Sequence, residues 1–304
     1  MKDTPAPLPE PLPAAVTDSH THLDTTAEYT RLDVADLLDR AAAVGVTRVV
    51  QIGCDVPSSE WALDLAAAEP SVVAAVAIHP NDAARLVAEH GRGGLDRALA
   101  DIDRLAGDPR PDVVRAVGET GLDFYRTPDA GGRQVQRESF AAHLGIAADH
   151  DLAVSIHDRD AHREVLDVLR GEPGPDRVVM HCFSGDADIA RAFLDRGAWL
   201  SWPGTITFGA NEALREAFDL TPLDRMLVET DAPFLTPVPR RGWPNASYLL
   251  PHTVRFLAQR RGVDVADLCA RLVVNTAEAY GGGWAGRPVP PAGDDRPVRS
   301  AAED

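Results

Sequence analysis

The chain has 304 residues, 44% of them hydrophobic and 25% charged, which is ordinary for a soluble globular protein and enough for one large core or two smaller ones. The formal net charge of −17 argues against a broad basic surface for gripping duplex nucleic acid, and no apolar run approaches the roughly 20 residues of a membrane span. Cys54, Cys182 and Cys269 are scattered without CxxC spacing and the first residues lack the apolar core of a signal peptide, so a reducing, cytoplasmic setting is expected.

Residues 1–13 are rich in proline and read as an extended, flexible arm. An apolar run at 14–16 reads as strand one and leads into Asp18-Ser19-His20-Thr21-His22. His20 and His22 are two apart, so on an extended chain both face the same side. Residues 34–43 put Val34, Leu37, Leu38 and Ala41 on one helical stripe. A strand at 48–52, a helix at 61–68 and a strand at 72–78 follow, the last running into His79-Pro80. Gly91, Gly93 and Gly94 read as a loop, without the strand-loop-helix setting of a phosphate cradle. After a helix at 95–105 come a strand at 113–117 ahead of Gly118-Glu119 and a helix at 134–150. A strand at 152–156 precedes His157, a helix covers 161–169, and a strand at 177–180 precedes His181-Cys182. The pattern continues with a helix at 189–194, a strand at 198–201, a helix at 214–218 and a strand at 226–228 shortly before Asp231. Helices at 247–261 and 265–279 end the periodic part, and 281–304 reads as a disordered tail.

Strand and helix thus alternate about eight times, and the strands are nearly continuous apolar runs, as when both faces of a parallel sheet are buried. This predicts an α/β fold, a single (β/α)₈ TIM barrel over 14–280. An open doubly wound sheet is the competing reading, but it usually opens with a Gly-rich phosphate loop, and none follows the first strand.

His20, His22, Glu119, His157, His181 and Asp231 each fall just after a strand, at the rim where such a barrel carries its active site. Four imidazoles and two carboxylates suit zinc or manganese, or magnesium with water completing its shell. Six donors exceed what one tetrahedral ion needs, so two divalent ions sharing a carboxylate are expected, a centre suited to phosphodiester hydrolysis. Strand alternation turns Cys182 away from His181, which makes it a buried thiol. His90, His143, His150, His162 and His252 lie on helices or loops and read as structural, as does Asp18.

The segments Asp18-Ser19-His20-Thr21-His22-Leu23, Ile78-His79-Pro80, Gly118-Glu119-Thr120-Gly121-Leu122-Asp123, His157-Asp158-Arg159-Asp160-Ala161, His181-Cys182-Phe183-Ser184-Gly185 and Glu229-Thr230-Asp231-Ala232-Pro233, in this order, resemble the TatD family of metal-dependent deoxyribonucleases, within the amidohydrolase-like barrels. The resemblance runs from Asp18 to about Tyr280. It implies a two-metal hydrolase that cleaves DNA, often from the 3′ end, through a metal-held hydroxide. His20 and His22 then hold one ion, His157 and His181 the other, and Glu119 bridges. Asp231 is a ligand that also takes a proton from the attacking water, with Glu229 supporting. His79, Asp123 and Arg159 are expected at the substrate or behind the ligands. The family's usual Arg-Gly-Lys-x-Asn-x-Pro loop here reads Arg241-Gly242-Trp243-Pro244-Asn245-Ala246-Ser247, so Trp243 and Asn245 join the expected substrate contacts. Some relatives are D-aminoacyl-tRNA deacylases, which leaves ester or amide cleavage as the alternative reading; a non-catalytic scaffold that kept the barrel is another. A monomer is expected.

Overall fold

The computed structural model describes residues 4–282 and 284–288. Eight strands, β1 (Val16–Thr21), β2 (Val46–Ile52), β3 (Val72–Val76), β4 (Val114–Asp123), β5 (Ala153–Arg159), β6 (Val178–Met180), β7 (Trp199–Trp202) and β8 (Met226–Val228), lie side by side in chain order, each parallel to the next. The ring closes just above β8, where the His22 N–H donates to the Ala232 carbonyl and the Asp231 N–H to that of His20, both at 3.0 Å. This is the expected TIM barrel.

The helices are α1 (Leu23–Thr30), α2 (Val34–Ala43), α3 (Val56–Ala68), α4 (Pro80–His90), α5 (Arg92–Ala106), α6 (Ala130–Asp149), α7 (His162–Gly171), α8 (Ala187–Leu194), α9 (Glu212–Leu220), α10 (Leu250–Arg261) and α11 (Val265–Tyr280). Asp33, Asp55, Asp129, Asp186 and Asp264 cap α2, α3, α6, α8 and α11 by accepting first-turn N–H groups, each cap worth about 1 kcal/mol. Alternate strand residues serve two cores. Val49, Ala74 and Val117 pack against the helices, while Val50, Ala75, Ala116, Ala153, Val179 and Leu227 form a second cluster inside the ring. Tyr280 and Trp284 join that inner cluster and close the floor of the barrel.

The structure revises several sequence readings. β1 runs through Asp18-Ser19-His20-Thr21 rather than ending before it, and β4 and β5 contain Glu119 and His157 instead of stopping short of them. Polar residues hid these strand ends. Helices α1 and α4 were missed. α1 starts without a side-chain cap, and α4 starts at Pro80, with His79 Nδ1 accepting the Asn81 N–H as its cap. Gly93 and Gly94 lie in the first turn of α5, so only Gly91 remains in the connection.

The arm is packed from the first described residues. Ala6 and Leu12 are buried, the Leu12 N–H donates to Val44, and Arg255 holds the Pro11 carbonyl. Nor does order stop at Tyr280: Arg48 holds the Trp284 carbonyl, and Arg287 pairs with Asp39 and Glu69. The rest of the expected tail, 289–304, lies outside the described residues.

Candidate active site

Glu119 is the hub of the C-terminal mouth. Two glycines put it there. A Cβ on Gly118 would sit 2.6 Å from the Ser155 side chain, and one on Gly121, at φ +137°, would sit 2.1 Å from the His157 carbonyl. Only glycine at these positions lets β4 press this close to β5 and bring Glu119 against His157. One oxygen of Glu119, Oε2, lies 3.4 Å from His20 Nε2 and 3.7 Å from His22 Nε2. The other, Oε1, lies 2.5 Å from His157 Nδ1, 3.0 Å from His181 Nε2 and 3.4 Å from His79 Nε2. Asp231 Oδ1 approaches His22 Nε2 at 3.5 Å and His20 Nε2 at 3.8 Å. Asp231 adopts φ +52°, uncommon away from glycine but more open to aspartate than to most residues.

Polar side chains stand behind the ring. Glu229 Oε1 accepts the Cys182 N–H at 2.6 Å and lies 3.3 Å from His181 Nδ1. Asp123 Oδ2 lies 3.4 Å from His157 Nε2 and accepts from Asn81 at 2.9 Å, while its Oδ1 accepts the Arg126 N–H. Cys54 Sγ lies 3.9 Å from His22 Nδ1. Below them Asp18 accepts from the Thr230 N–H and hydroxyl, which ties β1 to the chain beyond β8. Neutral His143 accepts the Ile78 N–H through Nε2 and donates from Nδ1 to the Ser139 carbonyl, steadying the chain just before His79.

The electrostatics follow from crowding. Burial works against a charged Glu119, but His181, His79 and His157 prevail and hold it well below the usual carboxylate range. Burial likewise opposes a charged His157, yet Asp123 and Glu119 lift it to about 9. Burial alone pushes Asp18 up to about 7 against its hydrogen bonds, and burial, helped by the Glu119 and Asp82 carboxylates and opposed by His22, holds Cys54 at about 11, a neutral thiol.

The donor set fits divalent ions. Neither ring nitrogen of fully buried His20 has a hydrogen-bond partner, and His20 stacks on His181 at 3.8 Å between centroids. Bare imidazoles this close repel when protonated and leave lone pairs unsatisfied when neutral, and a cation resolves both. Donor atoms of His20, Glu119 and His181, of His20, His22 and Asp231, of His79, Glu119 and His157, and of His22, Cys54 and Glu119 lie within 4.8 Å of one another in each group.

The structure therefore brings the six expected ligands together and adds His79 and Cys54 to the cluster. Asp123 stands behind His157, and Arg159 lines a cavity of about 500 Å³ that opens over Glu119, His157, His181 and Asp231. The Trp243 loop is different. Asn245 is fully buried, and its amide donates to the Thr230 and Phe234 carbonyls, so it braces the Asp231 segment from behind instead of facing substrate. Trp243 is half-buried and packs against the outer core. Sequence reasoning missed Cys54, whose signal was its place directly after an apolar strand, and Asn81, hidden in an unrecognised helix. A larger open cleft, of about 600 Å³ between α9 and α10, pairs its own charges through Arg260 and Asp219.

A family model described as TatD related DNase matches residues 17–281. A Mycobacterium tuberculosis protein named "Uncharacterized metal-dependent hydrolase TatD" is 45% identical over 273 residues, covering 88% of this chain and 98% of its own. The Escherichia fergusonii protein named "3'-5' ssDNA/RNA exonuclease TatD" is 32% identical over 269 residues, covering 84% and 96%. Among solved structures, YjjV, a TatD homologue from Escherichia coli K12, superposes with a TM-score of 0.76 at 26% identity over 87% of this chain and 97% of its own.

Proposed function

The chain belongs to the TatD-related DNase family of metal-dependent hydrolases, and from that premise we propose that it hydrolyses phosphodiester bonds of DNA at a two-metal site, removing nucleotides from the 3′ end. The observation that supports this most is the division of Glu119, with one oxygen toward His20 and His22 and the other toward His157 and His181. His20, His22, Asp231 and Glu119 Oε2 would hold one divalent ion, and His157, His181 and Glu119 Oε1 a second. Imidazole with carboxylate suits zinc or manganese, and magnesium if water fills its shell. When bound, such ions withdraw charge from the phosphoryl oxygens and make water a stronger acid.

The chain's own groups do the rest. Burial works against the Asp231 carboxylate, but His22, His181 and His20 hold it below the usual range, so at neutral pH it is ionised and able to accept the proton of the attacking water. The Arg159 guanidinium stands at the cavity for the phosphate, His79 Nε2 lies beside Glu119 Oε1, and Asp123 and Glu229 fix the rings of His157 and His181.

Elemental analysis should find about two divalent ions per chain, and a chelator should abolish hydrolysis until metal is restored. With metal supplied, a 5′-labelled DNA strand should shorten stepwise. Turnover of an aminoacyl ester alone, with the DNA strand left intact, would overturn this reading.

A further inference from the structure

The exposed aromatic side chains among the described residues are Tyr29, Tyr125 and Phe234, at 42%, 62% and 46% exposure, and all three stand at the mouth. Tyr125 comes two residues after β4 ends at Asp123. Phe234 comes three after Asp231, and its N–H donates to the Asp231 carbonyl. Tyr29 lies in α1, directly after His22, and meets Phe234 edge-on with ring centroids 6.0 Å apart. The Arg159 guanidinium lies over the Tyr125 ring at 4.0 Å and also lines the cavity above the candidate ligands. β4 and β8 are four strands apart in a ring of eight, so the two aromatic sites follow strands on opposite sides of the barrel.

Resting on the nuclease reading, and on the single-stranded substrate that the Escherichia fergusonii relative's name gives, we infer that these are two base-stacking platforms, Tyr125 with Arg159 on one side and Phe234 with Tyr29 on the other. Charge supports that occupant. At a net −17 the chain has little to offer a long phosphate backbone, so affinity must come from something other than counterion release. An aromatic face supplies it for any base, since each base has a π-face, and a guanidinium over the ring adds a second stacking plane. In a duplex those faces are already occupied by neighbouring bases. The platforms therefore hold bases of the bound strand only when it is single, and they read no sequence.

The test compares two strands of equal length, one normal DNA and one whose sugars near the 3′ end are abasic, with the metal-loaded protein. The ratio of KM for the abasic strand to KM for the normal strand should be about tenfold or more in the wild type, within the roughly five- to 150-fold range of one base stack. Tyr125→Ala and Phe234→Ala should each move that ratio toward one, and Tyr125→Trp should keep it. Both residues are exposed, so the variants fold, which a thermal melt checks. Equal KM on both strands in the wild type, or an unchanged ratio in both alanine variants, would overturn the platforms while leaving the nuclease reading standing. Hydrolysis of neither strand by the wild type would overturn the nuclease reading and the platforms together.

Discussion

The mouth and the floor of the barrel are two ends of the same eight strands, built on opposite principles. At the floor, inward-facing Val50, Ala116, Ala153 and Val179 pack under Tyr280 and Trp284. At the mouth the inward residues are imidazoles and carboxylates with unsatisfied atoms, and Asp231 and Cys182 both have positive φ. One end carries stability. The other is held in place by it and gives up stability for chemistry.

The largest effect that could break this contrast is at Asp231. Asp231→Asn should lower the rate of DNA hydrolysis by about 10³-fold while leaving the urea midpoint unchanged or higher; full activity in that variant would sink its assigned role. The floor should answer the other way. Tyr280 is buried, and its hydroxyl donates to the Ser19 carbonyl at 3.0 Å. Tyr280→Ala should cost about 3–5 kcal/mol of unfolding free energy, with kcat of the folded fraction unchanged. A matched loss of kcat would show that the two ends are not separable.

Between them sits His143, pushed down by burial to about 4 from a usual 6.5. As pH falls the unfolded chain takes up this proton first, so the stabilisation present above about 6.5 is lost progressively toward 4, on the order of 3 kcal/mol. Urea titrations at pH 7 and 4.5 should show this loss in the wild type and a flatter dependence in His143→Gln. The smallest effect sharpens the contrast within the mouth. Glu229→Gln weakens the support of His181 without removing a ligand, so metal affinity, read by competition with a chromogenic chelator, should fall about 10–100-fold. Unchanged affinity would mean that Glu229 serves only the Cys182 N–H.

The alternation of apolar runs was enough to expose the barrel, because strands as short as β6 and β8 are still wholly apolar. Polar residues at strand ends were legible as a rim but not as strand, which is why β1 and β4 were read short. His20, Glu119 and Asp231 could be grouped because each lies within a few residues after an apolar, strand-like run. Asn245 could not be read that way. Whether an amide turns to substrate or to a backbone carbonyl depends on a loop path that the neighbouring residues do not encode. Cys54 escaped for a related reason, since it meets His22 only through the lateral pairing of β1 with β2. Proline content in the arm speaks to chain stiffness, whereas its docking depends on Ala6 and Leu12 finding a surface.

The floor has one more consequence, for handling the molecule. Arg48, Asp39 and Glu69 grip the segment at Trp284 and Arg287, so the described chain runs out at the end of the barrel opposite the mouth. A tether joined at residue 288 therefore leaves from the far pole, and protein immobilised through it presents its cavity to the passing solution.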